Sequence, residues 1–185
     1  MRILVIDDNA THCQVAQKLL GDHDLTVVGT YDEGQELLCS SEPFDAVLTD
    51  LMLPGSAKAQ IPNSPLIGAE MPIGTTLAFL ALRQGCKRIA VVTDTNHHDH
   101  PASAAFDIFR SEKDRGRNHV FSVGDARVLC TNSGNDVTLF DKNTLESIGY
   151  DFLFSPEGEE KYPYSRGTIQ AKNWLKVLNQ LMEEG

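Results

Sequence analysis

Short apolar runs alternate with amphipathic stretches along the first two thirds of the chain. Arg2-Ile-Leu-Val-Ile6, Leu25-Thr-Val-Val-Gly29, Phe44-Asp-Ala-Val-Leu-Thr49 and Arg88-Ile-Ala-Val-Val-Thr93 are brief and rich in β-branched residues, which predicts buried strands. Between them lie helical patterns. Asn9 stands where an N-cap belongs, Val15, Leu19 and Leu20 form an apolar stripe, and Gly21 suits the stop. Gln35 to Cys39 falls in a short second helix. Thr75 to Gln84 carries Leu77, Phe79, Leu80 and Leu82 and is closed by Gly85; Ala102 to Phe109 gives a fourth helix. This βαβαβαβα order predicts an α/β protein with a doubly wound parallel sheet.

Two stretches interrupt the plan. Residues 56–72 hold several prolines and small residues without helical or strand periodicity, and read as an insertion in a connection where a few residues would suffice. Later, Val128-Leu-Cys-Thr131, Val137-Thr-Leu-Phe140 and Phe152-Leu-Phe154 offer three strand candidates. Roughly 132–168 reads as a second insertion, a small hairpin beside the active face; loop-closure entropy tolerates it, since each doubling of length costs only about 0.6 kcal/mol. A last helix places Trp174, Leu175, Leu178, Leu181 and Met182 on one face. The whole chain is expected to form a single domain.

Polar residues at the strand ends carry the chemistry. Asp7 and Asp8 close the first strand and Asp50 closes the third. In a parallel α/β sheet, ligands bind at the carboxyl ends of strands where the strand order reverses. Carboxylates about 4 Å apart repel by about 4 kcal/mol at an effective dielectric of about 20, so a converging trio calls for a hard divalent cation such as Mg²⁺.

Composition narrows the setting. A hydrophobic fraction of 41% and a charged fraction of 23% over 185 residues are those of a soluble globular protein. The net charge of −10 argues against nonspecific nucleic-acid or anionic-membrane binding and leaves a basic protein partner open. No signal peptide and no membrane span is legible, and the four cysteines form no CxxC pair. A cytoplasmic protein with reduced thiols is expected.

The run Ile3-Leu-Val-Ile-Asp-Asp-Asn9, with Phe44-Asp-Ala-Val-Leu-Thr-Asp-Leu-Met-Leu-Pro-Gly55 at the right distance, closely resembles the receiver domain of bacterial two-component response regulators. The likeness is dense over residues 1–55, weaker over 75–110 and poor through most of 113–170. It implies a five-stranded, flavodoxin-like receiver fold of order 2-1-3-4-5. It also implies Mg²⁺ held by Asp7, Asp8, Asp50 and the backbone carbonyl of Met52, with Asp50 as phosphoacceptor. Thr93 would bond the phosphoryl group.

The family's lysine has two candidate placements. Gly149-Tyr-Asp-Phe-Leu-Phe-Ser-Pro156 resembles the usual approach to it but puts Ser155 in its place. Alternatively, Val128–Thr131 is strand five and Lys172-Asn-Trp174 stands in for Lys-Pro-Phe, which recovers both cation and aromatic and is preferred. Two further departures stand out. Asp94 follows Thr93 where the family has a small residue, adding a carboxylate that would either repel the phosphoryl donor, slowing small anionic donors, or join the metal and water network. His97, His98 and His100 invite a transition-metal reading or a direct role for one of them at the phosphorylation site, but their spacing suits a polar loop entering a helix at Pro101.

The function expected is a stand-alone phosphoacceptor module of a phosphorelay, not an enzyme beyond its own phosphorylation and without an output domain. Its partners would be a histidine kinase or phosphotransfer protein and a downstream protein, with no nucleic acid or membrane, as a monomer or weak homodimer. The alternatives are a degenerate receiver that only binds a partner and a Mg²⁺-dependent phosphohydrolase using Asp50. The latter lacks the second aspartate that the haloacid-dehalogenase pattern wants where Met52 stands. A dinucleotide-binding module lacks its glycine signature after the first strand.

Overall fold

The computed structural model describes residues 1–40, 42–96, 98–109, 119–132, 136–150 and 167–183. Four strand–helix units open the chain: β1 (Arg2–Ile6), α1 (Ala10–Leu19), β2 (Asp24–Val28), α2 (Tyr31–Ser40), β3 (Ala46–Asp50), then the short β4 (Leu53–Pro54) and β5 (Glu70–Met71), α3 (Gly74–Arg83), β6 (Arg88–Val92) and α4 (Pro101–Ala104). A 3-10 turn (Ala105–Phe109) follows, then β7 (Val120–Val123), β8 (Ala126–Thr131), β9 (Val137–Asp141), β10 (Ser147–Tyr150), β11 (Thr168–Lys172) and α5 (Trp174–Met182).

The central sheet has the order β2-β1-β3-β6-β8-β7. Its first five strands pair in parallel, and β7 folds back antiparallel on β8. Because side chains alternate along a strand, the apolar runs feed two cores. Leu4, Ile6, Val47, Ile89 and Val91 pack with α2 and α3 through Leu38, Leu77 and Ala81. Ile3, Val5, Leu48, Ala90 and Val92 pack on the other face with α1 and α5, where Trp174, Val177, Leu178 and Leu181 are buried.

Several expectations are corrected. The main sheet has six strands rather than five, since Val120–Val123 adds an antiparallel edge. In the second insertion β9 and β10 pair antiparallel as the expected hairpin, and β11, which follows it, adds a third strand on the other side of β9 in a sheet separate from the main one. Phe140 and Ala171 of this sheet pack on Val15 of α1. The first insertion is closed at its base by β4 and β5. The fourth helix stops at Ala104, where 3-10 geometry takes over. Phe79 faces away from the core: α3 buries Leu77, Ala78 and Ala81 instead. Of the two fifth-strand placements, Ala126–Thr131 lies in the sheet beside β6, whereas Phe152–Phe154 and Ser155 lie outside the described residues. Among the described residues, no helix is long and apolar enough to cross a membrane.

Candidate functional site

The chain passes outward from β1 to β2 and then returns across β1 to β3, so the strand order reverses between β1 and β3. Asp7 and Asp8 leave the carboxyl end of β1 and Asp50 ends β3, which brings the three carboxylates together. One oxygen from each lies within 4.8 Å of the others. Asp7 is wholly buried and Asp50 nearly so, while Asp8 is exposed.

Asp7 is saturated by fixed donors. Its Oδ1 accepts the Asn9 N–H at 2.9 Å, and its Oδ2 lies 2.7 Å from Lys172 Nζ. His12 Nδ1 sits 3.2 Å from both oxygens. Burial alone would push the Asp7 carboxyl up, but Lys172 and His12 more than offset it and hold the carboxyl below its ordinary value. Asp50 shares the same cation, at 2.7 Å. One ammonium cannot neutralise two buried carboxylates, and Asp50 has fewer other donors; burial pushes it up to about 7. Asp8 is also raised, by burial and then by the charge of Asp7.

Lys172 comes from β11 of the small sheet, 165 residues along the chain from Asp7. It is completely buried, its Nζ 5.6 Å from the ring centroid of Trp174, and the two carboxylates hold its own ionisation well above the usual lysine range. The Trp174 indole N–H in turn donates to the backbone carbonyl of His12 at 3.1 Å. His12 Nε2 points to Asp94, 3.6 Å away. A chain of polar groups therefore runs from Asp50 through the buried Lys172, Asp7 and His12 to the exposed Asp94.

A cavity of about 370 Å³ opens over Asp50. Asp8, Asn9 and Met52 line it on the strand side, Asp94 and Thr95 follow β6, and Glu70 reaches it from the first insertion. Thr93 is buried at the end of β6, where its hydroxyl accepts the Thr95 N–H at 3.1 Å; Thr95 rather than Thr93 lines the cavity. His100 caps α4, its Nδ1 accepting the Ala102 N–H at 3.1 Å, which agrees with a loop leading into a helix. The His98 N–H donates to Asn96, and His97 lies outside the described residues.

The donor set suits a hard cation. It offers three carboxylates, two of them with raised ionisation in its absence, beside an open space with room for water. Asp8 and Asp50 line the cavity and could hold the cation, Met52 lines the same cavity, and the saturated Asp7 completes the carboxylate cluster. Sequence reasoning missed His12 and Glu70. His12 could have been found from its i+5 spacing to Asp7 on the first turn of α1; no signal marked Glu70, whose place depends on how the insertion folds back. Comparison with protein-family models, curated proteins and solved structures found no match to this chain.

Proposed function

We propose that the chain is a receiver-like phosphoacceptor, in which Asp50 takes a phosphoryl group from a phosphohistidine donor and the resulting change is read by a protein partner. The observation that carries this reading is Lys172 Nζ, 2.7 Å from Asp50 and 2.7 Å from Asp7, at the carboxyl end of a sheet whose parallel strands run in the order expected of a flavodoxin-like receiver. A phosphoacceptor needs a carboxylate nucleophile, a cation on the transferred oxygens, and a cavity for the donor above the nucleophile. Asp50, Lys172 and the cavity supply these.

A bound Mg²⁺ would offset the negative charge on the transferred oxygens and bring Asp50 to its ionised form. Asp50 Oδ attacks phosphorus from below the cavity, and the bond from phosphorus to the donor nitrogen breaks. Lys172 then passes from a partner of the carboxylate to a partner of the phosphoryl oxygens, retaining its bond to Asp7. Thr93 is the candidate hydroxyl donor to the acyl phosphate, after giving up its contact with the Thr95 N–H. Such a new acceptor supplies the differential free energy that a switch requires.

Trp174 is the only tryptophan and is buried beside Lys172. Adding beryllofluoride with Mg²⁺, a mimic of the aspartyl phosphate, should change its fluorescence in the wild type and not in Asp50→Asn. An equal change in both proteins would remove Asp50 from the site.

A further inference from the structure

The first insertion is fixed at its base. Gly55 and Gly74 allow main chain to pass where a Cβ would lie 2.0 Å from the Leu66 carbonyl oxygen and 1.7 Å from that of Asp50. The Gly55 N–H donates to Ala69 at 2.8 Å, the Gly68 N–H donates to Gly55 at 3.0 Å, and Leu53 and Pro54 pair with Met71 and Glu70. Ser56 bonds Asp32, and Lys58 pairs with Glu36 at 2.9 Å, tying the loop to α2. Glu70 is thereby set at the wall of the cavity over Asp50.

The two added carboxylates of that cavity differ. Asp94 lies 3.6 Å from His12 Nε2 and 4.0 Å from Lys172 Nζ, so buried groups offset its charge. Among the described residues, no lysine, arginine or histidine pairs with Glu70. Glu70 is exposed and lines the cavity that opens over Asp50, so its negative charge lies on the wall a donor would pass.

We propose that Glu70 is a specificity-determining residue that favours phosphoryl donors leaving through a cationic or neutral nitrogen over acyl phosphates. This rests on the phosphoacceptor reading of Asp50. With a P–N donor, Asp50 Oδ forms the new P–O bond while the P–N bond breaks; its electron pair goes to the nitrogen, which departs as an amine or imidazole with the proton it already carries. Glu70 attracts that positive nitrogen as the donor enters. With acetyl phosphate the P–O bond breaks and acetate departs, so an anionic leaving group must pass an anionic wall.

The test measures phosphorylation rates by intact mass, with Mg²⁺, for acetyl phosphate (a dianion at neutral pH) and phosphoramidate (a monoanion with an ammonium-like nitrogen). Wild type, Glu70→Gln, Glu70→Lys and Asp50→Asn are compared. Glu70→Gln should raise the acetyl phosphate rate about fivefold relative to the phosphoramidate rate, as one screened unit charge would, and Glu70→Lys should raise it further. Added salt should narrow the difference between wild type and Glu70→Gln. A ratio of the two rates that is the same in wild type, Gln and Lys proteins would overturn the role of Glu70 while leaving Asp50 as acceptor. No labelling by either donor in any protein would overturn the phosphoacceptor reading, and this inference with it.

Discussion

Asp50→Asn in the absence of metal tests the electrostatics of the site, because it removes a charge while nearly preserving shape. The carboxyl ionises near pH 7 in the fold against an ordinary 3.8, for the reason that burial is only partly offset by the shared Lys172. Its folded value lies above the unfolded one, so the folded state holds the extra proton between them and wild-type stability falls as pH rises through that window. Of the roughly 4 kcal/mol this represents in full, about 2–3 kcal/mol should be lost between about pH 5 and about pH 8. Asp7 has the opposite sign: its contribution is present above the ordinary carboxylate range and is lost only in acid, below the pH window compared.

Urea unfolding with a chelator at those two pH values should therefore show Asp50→Asn gaining about 2–3 kcal/mol on the wild type as pH rises. Mg²⁺ should return much of that stability to the wild type at the higher pH, and less to the variant, by binding the folded state alone. Parallel stability profiles for the two proteins with chelator would refute the claim that Asp50 is buried with half a counter-charge.

Three further outcomes follow from the same geometry. Asp8→Asn should weaken Mg²⁺ binding by about tenfold or more, measured by calorimetry, without unfolding the chain, because Asp8 is exposed and supplies an anionic ligand; equal affinity would exclude it as a ligand. Lys172→Met should destabilise the protein by about 3–5 kcal/mol at about pH 8, since it leaves Asp7 and Asp50 without their cation, and by less at about pH 5 where Asp50 takes up a proton; unchanged urea midpoints at both values would contradict the shared pair. Gly74→Ala should cost about 1–3 kcal/mol or more, because the new Cβ meets the Asp50 main-chain oxygen rather than a movable side chain; a neutral effect in the same unfolding assay would mean that the base of the insertion can shift freely.

The parallel sheet was legible because β1, β3 and β6 are apolar on both faces, and each run ends at a polar residue that marks its carboxyl end. The same runs fixed the positions of Asp7, Asp8 and Asp50. Lys172 came from the resemblance rather than from periodicity: Lys172-Asn-Trp174 was the placement that recovered both the cation and the aromatic of the receiver pattern. What escaped the sequence depends on long-range pairing. β7 and the β9–β11 sheet are short strands whose partners follow no local periodicity, and a two-residue strand such as β5 has none to read. Phe79 shows the limit of counting apolar residues on a helix, since the small Ala78 and Ala81 occupy the face that approaches the sheet. His12 was passed over as a site residue because its only signal is the i+5 spacing to Asp7, which matters once Asp7 is seen to be buried beside it.

The most direct measurement locates the phosphoryl group. The full chain is incubated with Mg²⁺ and phosphoramidate, reduced with borohydride, which converts an aspartyl phosphate to homoserine, and sequenced by mass spectrometry. Homoserine at position 50 in the wild type, with no phosphoryl gain in Asp50→Asn, is the predicted result. A phosphoryl group on any other residue, or one acquired by Asp50→Asn at the wild-type rate, would contradict it.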